Sequence, residues 1–421
     1  MKLDKILKSS FVKNVGKLAS GTLLAQIITF LSIPILTRLY SKEAFGYLIT
    51  YTAVVTFISS FATLKYDTAL VLPKEDKHAY ALLKLSNIVT MIITLLCILI
   101  MFFPIEYFKK YEGLQLLIGL SVILSVNYNN SALWNIRNKN FKNTAIAMVV
   151  QAIFIFLFQY ILYKYIETKG LIIGSILGIM VSGIYLLLTR KMDWALYKKI
   201  DKVEMLEQAK RYIDFPKYFT ISNAILSFSA SLPIFLFIKY IPISQIGIYG
   251  LALKIISQPV ALLANSAKSV IMVDMANRRN KLQPIFKWYL NIFIGLFLIS
   301  LIISIGLTVF GDMVITFFLG EEWVKVSIYA KMLIPLLIGM MIASPGVAAV
   351  RVFEMQKFNF YYSIITLFIK FLVLFFLLNN QIVSFEMMIF IYALISLLMI
   401  LVNNFIILLK VRNYEKKIKL L

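Results

Sequence analysis

Two lysines lie inside long apolar stretches, where a charged side chain is costly and can serve to bind an anion. Lys370 is about twelve residues into the apolar run 358–379, and Lys254 is about seven residues into the run 247–270. A charge at the centre of a bilayer costs about 2.5 to 3.5 kcal/mol on insertion scales, so these residues are the first candidates for function. Their ammonium groups would attract an anionic head group, such as a diphosphate or an acidic sugar. The alternative is structural, with each side chain snorkelling along its helix or pairing with a backbone carbonyl.

Acidic residues are absent from the middle of these apolar stretches. A proton- or sodium-coupled exporter of cationic drugs would normally use a buried carboxylate, both to bind the cation and to release it. The interior of the spans predicted below therefore offers cations without carboxylates. This composition favours an anionic cargo over a cationic one.

Four further charged residues lie at the ends of apolar stretches and are candidate substrate contacts. They are Arg38, Lys65, Asp67 and Arg137. Charged side chains are common at this depth and usually anchor helices at the membrane–water boundary. Arg137 could contact the phosphates of inner-leaflet lipids, but a plain anchor at the cytoplasmic boundary is the simpler interpretation.

The sequence lacks the residues that metal sites, disulfides and common catalytic sites require. Cys97 is the only cysteine and His78 the only histidine, so the sequence predicts no metal site, no intramolecular disulfide and no Ser-His-Asp triad. No phosphate-binding loop of the form GxxxxGKS/T occurs, which argues against ATP hydrolysis by this chain. The external acid cluster of Asp312, Glu321 and Glu322 is interpreted as a surface feature. The sequence therefore predicts neither an enzyme nor a bound cofactor.

The elements that position these residues are membrane-spanning helices. Hydrophobic residues make up 61% of the 421 residues, charged residues make up only 15%, and the mean hydropathy is +0.86. A helix needs about 20 apolar residues to cross a bilayer, and runs of that length recur along the chain. Twelve spans are predicted, over residues 15–37, 45–64, 80–103, 113–134, 143–164, 170–189, 215–238, 247–270, 285–310, 328–350, 358–379 and 387–409.

The distribution of basic residues predicts the orientation of these spans. With both termini in the cytoplasm, the segments on the inner side hold 31 of the 43 lysines and arginines, and those on the outer side hold nine. This asymmetry is the one described by the positive-inside rule. It also accounts for the formal charge of +23 without nucleic acid as a partner, because the basic residues lie between apolar runs and not on one solvated face.

The longest cytoplasmic connection, 190–217, carries eight basic residues and divides the chain. Its amphipathic pattern predicts an interfacial helix on the inner leaflet. The apolar positions of this pattern are Trp194, Tyr197, Ile200 and Leu206. The predicted organisation is an N-terminal six-helix bundle over 1–189, the linker over 190–214 and a C-terminal six-helix bundle over 215–421.

The two bundles share a sequence pattern. LSIPILTRLYSKEAFGYL in the first aligns with SLPIFLFIKYIPISQIGIYG in the second if two residues are inserted. The alignment pairs Pro34 with Pro233, Arg38 with Lys239 and Gly46 with Gly247. Six-helix halves of the same orientation would be parallel repeats, related by a pseudo-twofold axis along the membrane normal, with a cavity between them.

Small residues and prolines predict how individual spans pack and bend. The sixth span repeats a small residue every fourth position, which permits close helix approach on one face. These positions are Gly170, Gly174, Gly178 and Ser182. The prolines within spans predict kinks or breaks that let helices bend around a cavity. They are Pro34, Pro233, Pro259, Pro335 and Pro345.

Two stretches near the N-terminus resemble a known family. PILTRLYSKEAFG at 34–46 and KYDTALVLPKEDKHAYALLKLS at 65–86 are similar to the Wzx-type polysaccharide flippases. These form the oligosaccharide-exporting branch of the multidrug/oligosaccharidyl-lipid/polysaccharide (MOP) exporter superfamily. IRNKNF at 136–141 and FLGEEW at 318–323 fit the same pattern more loosely. The resemblance implies an all-α, MATE-like fold, with two six-helix bundles facing each other in a V around a cationic cavity. Arg38 and Asp67 match characteristic charged positions of the family's motifs.

The resemblance also implies a function. Such flippases move undecaprenyl-diphosphate-linked oligosaccharide units from the cytoplasmic to the outer leaflet of the bacterial cytoplasmic membrane, for O-antigen or capsule synthesis. The implied partners are this lipid-linked substrate, membrane lipids, and the polysaccharide polymerase and chain-length machinery. Two alternatives stay open. A cation-coupled multidrug exporter of the same superfamily would need a buried carboxylate, and a membrane polysaccharide polymerase would need longer external loops. Lipid II flippases of the superfamily typically have more than the twelve spans predicted here.

Overall fold

Apolar helices form almost the whole structure. The computed structural model describes residues 10–103, 113–380 and 383–419, and the regular elements within these ranges are helical. The α-helices are α1 (Ser10–Leu39), α2 (Lys42–Phe61), α3 (Tyr66–Ala69), α4 (Asp76–Met101), α5 (Gln115–Arg137), α6 (Phe141–Leu162), α7 (Gly170–Thr189), α8 (Trp194–Lys199), α9 (Lys202–Arg211), α10 (Ile221–Tyr240), α11 (Ile243–Asn280), α12 (Phe286–Leu319), α13 (Val324–Met332), α14 (Ile334–Val352), α15 (Gln356–Asn380) and α16 (Phe385–Lys419).

The twelve predicted spans are confirmed. Among the described residues, twelve helices are long and apolar enough to cross a membrane, namely α1, α2, α4 to α7, α10 to α12 and α14 to α16. A helix satisfies its backbone hydrogen bonds within one segment, as the water-free bilayer core requires. The first nine residues of the basic N-terminal segment lie outside the described residues, and the cytoplasmic placement of both termini stays a prediction.

Proline marks one break in a predicted span. Pro335 lies in the first turn of α14, which begins at Ile334 directly after α13 has ended at Met332. Proline lacks an N–H group and is tolerated in the first turn, where no intrahelical acceptor is needed. The tenth predicted span, 328–350, is therefore interrupted. The other span prolines lie inside continuous helices, at Pro34, Pro233, Pro259 and Pro345.

The chain forms two compact units, Met1–Lys239 and Tyr240–Leu421. The seventh predicted span, α10, belongs to the first unit, where it packs on α2. The ring of Phe57 in α2 lies 5.4 Å from the ring of Phe228 and 5.8 Å from that of Phe235 in α10. The division of the chain at the linker, 190–214, stays a prediction.

Small residues bring α6 and α7 into close contact, as their spacing in the sequence predicted. A Cβ atom added at Gly174 would lie 2.7 Å from the backbone nitrogen of Gln159 in α6. The same buried glutamine donates its side-chain amide to the carbonyl of Leu171 at 2.9 Å, and its carbonyl accepts the hydroxyl of Tyr40 at 2.6 Å. These contacts join α6 and α7 to the residue that follows α1.

The linker forms two short helices instead of the single interfacial helix that the sequence predicted. The carboxylate of Asp193 accepts the backbone N–H of Leu196 at the start of α8, and that of Asp201 accepts the N–H of Glu204 at the start of α9. Each carboxylate satisfies a backbone donor that has no intrahelical partner, so each begins a new helix. Ile200, between the two helices, is buried against the first unit.

The second unit is joined by hydrogen bonds between α12 and α16 and by the close approach of α14 to α16. The hydroxyl of Tyr289 in α12 donates to Oδ1 of Asn404 in α16 at 2.6 Å, with both residues buried. A Cβ atom added at Gly346 of α14 would lie 2.8 Å from the same Oδ1. The carboxylate of Glu415 in α16 accepts the backbone N–H of Phe286 at 2.7 Å, at the positive end of the α12 dipole.

Replacing Gly178 by alanine should destabilise the first unit. The new Cβ would lie 2.6 Å from the backbone nitrogen of Ile155 in α6, so a helix would have to shift. Overpacking of this kind costs about 1 to 3 kcal/mol, and we expect a lower melting temperature in detergent. Gly183→Ala is the matched control on α7, because no heavy atom lies within 4 Å of a Cβ at that position. Equal melting temperatures for the two variants would contradict this account of the contact.

Candidate substrate-binding cations

Lys370 keeps an uncompensated charge in the middle of a spanning helix. It is half-buried on α15, with Nζ 5.3 Å from the centroid of the Tyr392 ring on α16. Within the described ranges, its ammonium group makes no hydrogen bond or ion pair. The negative face of an aromatic ring attracts a cation but does not neutralise it. The charge of Lys370 therefore remains available to an anion.

Lys254 is the second cation inside a span. It is half-buried on α11, and the residues two positions away on either side, Ala252 and Ile256, are buried. No described residue gives it a hydrogen bond or an ion pair. Both span lysines thus belong to the second unit, on helices α11 and α15, and both carry a charge that the described protein does not balance.

The acidic residues of the spanning helices lie close to helix ends. Asp312 Oδ2 is 2.6 Å from Lys331 Nζ, and Asp274 Oδ2 is 3.3 Å from Arg278 Nε. The remaining ones are Glu43, Asp76, Glu167, Glu386 and Glu415. In the described part of the chain, the span interiors therefore carry cations without carboxylates.

Arg137 is fully engaged by the first unit itself. Its Nε and Nη2 donate to Oδ1 of Asp76 at 3.3 and 2.9 Å, and Nη2 also reaches the carbonyl of Lys74 at 3.4 Å. Nη1 donates to the carbonyls of Pro73 at 2.5 Å and Leu70 at 3.4 Å. A guanidinium has five N–H donors, and all five have partners here. Arg137 thereby bonds the segment before α4 to the end of α5. It has no N–H donor left for a substrate phosphate.

Asp67 and Lys65 belong to a strained turn after α2. Asp67 is 3% exposed, and its carboxylate accepts the Thr63 hydroxyl at 2.8 Å and the Asn129 amide at 2.9 Å. Leu64 and Lys65 have φ angles of 47° and 58°, in the left-handed region that non-glycine residues adopt only at a cost. The buried carboxylate stabilises this turn against α5. The side chain of Lys65 has no partner among the described residues.

Arg38 ends α1 with an exposed side chain. A positive charge in the last turn interacts favourably with the helix dipole, and no other described residue pairs with it. The structure therefore separates the six predicted site residues. Arg38, Lys65, Lys254 and Lys370 retain unpaired charges, whereas Asp67 and Arg137 are used inside the first unit.

A stacked aromatic pair that the sequence analysis missed attaches the linker to the first unit. The rings of Tyr80 and Trp134 are 4.5 Å apart and nearly parallel. Trp134 Nε1 donates to the carbonyl of Lys191 at 2.9 Å, and the Tyr80 hydroxyl accepts the backbone N–H of Asp193 at 2.7 Å. Aromatic residues near span ends usually indicate the membrane interface, so the sequence carries no separate signal for this contact.

Arg190 is a further cation that the sequence analysis did not single out. Its Nη1 donates to the Ser131 hydroxyl at 3.3 Å, and its guanidinium carbon lies 5.1 Å from the centroid of the Trp194 ring. Partial burial lowers the pKa of this guanidinium, which nevertheless stays protonated at neutral pH. Arg190 therefore acts as a second attachment between the linker and α5.

The fold is shared with solved transporters. A multidrug resistance MATE family transporter of the MOP superfamily, in an inward-facing conformation, aligns with a TM-score of 0.70 at 13% identity, over 93% of this chain and 96% of that one. The lipid II flippase MurJ, in an inward closed conformation, aligns with a TM-score of 0.71 at 16% identity, over 94% and 90%. A MOP superfamily transporter from Pyrococcus furiosus, noted for the reverse polarity of its binding pocket, aligns with a TM-score of 0.58 at 13% identity, over 99% and 98%. The protein is thus a multi-pass membrane protein with the fold of MATE transporters and MurJ.

The sequence itself matches one family. Residues 35–328 match the family described as polysaccharide biosynthesis protein, and the chain belongs to that family. A search of curated protein sequences gives no significant match. The MATE-like fold that the resemblance implied is thus confirmed, and membership of the Wzx-type flippases stays a prediction.

Replacing Arg137 by alanine should destabilise the protein, because Asp76 and three carbonyl groups would lose their donor. Hydrogen bonds to charged groups contribute about 1.5 to 3 kcal/mol each, so we expect a clear fall in the melting temperature in detergent. Arg351→Ala is the control, since this exposed arginine at the end of α14 has no partner among the described residues. An Arg137→Ala variant that melts like wild type but fails to transport would instead place Arg137 against the substrate.

Proposed function

We propose that this protein is a flippase that moves undecaprenyl-diphosphate-linked oligosaccharide repeat units from the cytoplasmic to the outer leaflet of a bacterial cytoplasmic membrane. The product would serve O-antigen, capsule or another surface polysaccharide, and would pass to a polymerase and its chain-length machinery. Membership of the polysaccharide biosynthesis family and the fold shared with MurJ support this proposal.

The observation that carries the proposal is the uncompensated ammonium of Lys370. An ammonium has three donors, and charge-assisted hydrogen bonds to phosphate oxygens are about twice as strong as neutral ones. A diphosphate would therefore be attracted to a position where the protein supplies no carboxylate. Binding an anion there would also offset part of the cost of keeping a charge within the membrane. Lys254 adds a second such charge in the same unit.

The membrane potential favours the proposed direction of transport. Moving one elementary charge across the membrane is worth about 2.3 kcal/mol per 100 mV. With the inside negative, outward movement of an anionic head group is downhill. Part of the driving force would then come from the substrate's own charge.

Two other functions are less well supported. A cation-coupled drug exporter would need an available buried carboxylate, but both oxygens of Asp67 already accept hydrogen bonds from Thr63 and Asn129. A polymerase would need external catalytic acids, and Asp312 of the predicted external cluster pairs with Lys331.

Deleting the gene in its host should leave completed lipid-linked oligosaccharides on the cytoplasmic face of the membrane. The measurement is to extract polyprenyl-diphosphate-linked oligosaccharides after treating intact cells with an impermeant sugar-modifying reagent. Protection from the reagent supports a flippase. Accumulation of modified units on the outer face would point to a polymerase, and no accumulation would favour drug export.

Lys370→Met should abolish or strongly reduce transport while leaving membrane insertion and melting temperature unchanged, because methionine keeps the side-chain bulk and removes the charge. Lys370→Arg should retain part of the activity. Lys268→Met is the control, since this half-buried lysine of α11 already bonds to Asn265 on its own helix and to no other side chain among the described residues. The measurement is flux of lipid-linked oligosaccharide into reconstituted vesicles. Wild-type flux in Lys370→Met would remove this residue from the mechanism.

A further inference from the structure

The linker helices also expose apolar side chains that do not pack on α4 or α5. Trp194 is 50% exposed, Val203 is 62% exposed and Leu206 is 60% exposed. The opposite face of α9 is packed, with Met205 and Gln208 buried. Because residues three apart share a helix face, Val203 and Leu206 lie together on the outward side. We refer to Trp194, Val203 and Leu206 as the outer face of the linker.

Exposed lysines accompany this outer face. Lys198 follows Trp194 by four positions on α8, and Lys210 follows Leu206 by four positions on α9, so each lies on the same stripe as its apolar neighbour. Lys199 and Lys202 add two more exposed charges between the helices.

Most acidic residues of the linker helices and their caps already bond to other groups of the protein. Asp193 and Asp201 cap α8 and α9, and Glu204 pairs with Lys77 of α4. Glu207 is the remaining acid of α9 and is exposed. The capping aspartates keep their charge, but residues 190–211 hold seven lysines and arginines against four acids, so the linker retains an excess of positive charge beside its apolar groups.

The linker is attached at the ends of spanning helices, which is where membrane and water meet. Lys84, in the third turn of α4, donates to the carbonyl of Ile200 at 2.7 Å, and Trp134, near the end of α5, donates to Lys191. Tryptophan and lysine side chains favour this boundary, since their apolar parts can enter the lipid while their polar ends stay hydrated.

We infer that the outer face of the linker docks on anionic lipids of the surrounding leaflet. Trp194, Val203 and Leu206 insert at the level of the headgroups, and the four lysines contact lipid phosphates. An apolar stripe bordered by lysines is the arrangement with which amphipathic helices bind anionic membranes. The anionic lipid would thereby fix the segment that joins the two predicted bundles.

The test uses the full-length chain with Cys97→Ala and a nitroxide attached at Val203→Cys or Leu206→Cys. The protein is reconstituted in phosphatidylcholine vesicles with or without phosphatidylglycerol, and the accessibility of each label to oxygen and to a water-soluble nickel chelate is measured. We expect the labels to lie below the phosphates when phosphatidylglycerol is present and to be nearer to water when it is absent. A label at Lys74→Cys, an exposed loop position before α4, should stay in water in both lipids.

The charge of the lysines is tested separately. The quadruple variant is Lys198→Gln/Lys199→Gln/Lys202→Gln/Lys210→Gln. We expect the ratio of docked to undocked linker to fall about fivefold for each lysine that is neutralised. This factor corresponds to the contribution of about 1 kcal/mol that a basic residue makes to binding near an anionic surface. The control neutralises four exposed lysines of the second unit, Lys281, Lys287, Lys325 and Lys357.

Three outcomes would overturn the inference. Labels at 203 and 206 that stay in water in both lipids would exclude membrane docking. Insertion that is equal in both lipids, or unchanged in the quadruple variant, would exclude recognition of anionic lipid. Protection of the labels that rises with the density of protein in the vesicles would assign the face to a second copy of the chain.

Discussion

The bilayer core offers no water to a backbone amide or to an ammonium group, and this constraint governs where polar groups can lie in the membrane-spanning helices. Backbone groups are satisfied within helices. Some buried side chains bond to partners on neighbouring helices, as Tyr289 does with Asn404 and Tyr40 with Gln159. A charged side chain can have one of three environments. It lies near a helix end, it is enclosed by partners from the protein, or it binds a partner from outside the protein.

Cations of this chain illustrate each of the three environments. Arg278 and Arg279 lie at the end of α11, where their guanidinium carbons are 4.9 Å from the ring of Trp288 and 5.6 Å from that of Phe353. Arg137 is enclosed by Asp76 and by nearby carbonyls. Lys370 lies inside a span with the ring of Tyr392 5.3 Å from its Nζ, and has no hydrogen-bond or ion-pair partner among the described residues. An aromatic ring leaves the charge in place, and the proposed binding of an anionic substrate therefore rests first on Lys370.

The linker carries different side chains on its two sides. Its inward side is apolar and packs on the stacked rings of Tyr80 and Trp134, while its outward side combines Val203 and Leu206 with lysines. Two aspartates that begin new helices divide it at Ile200. This division lets the inward face follow the ends of α4 and α5 while the outward face keeps its own stripe of side chains.

Local hydrophobic runs determined the number of spans, the position of the linker and the depth of Lys254 and Lys370, since each depends only on neighbouring residues in the sequence. Glycine spacing likewise predicted the close approach of α6 and α7. The tertiary structure alone decided which charges are free. Arg137 follows one apolar run and Lys370 lies within another, but Arg137 bonds to Asp76, 61 positions away, and Lys370 meets no carboxylate in the described chain. Hydrogen-bond partners at such separations are brought together by packing, and the periodicity of hydrophobic residues does not predict them.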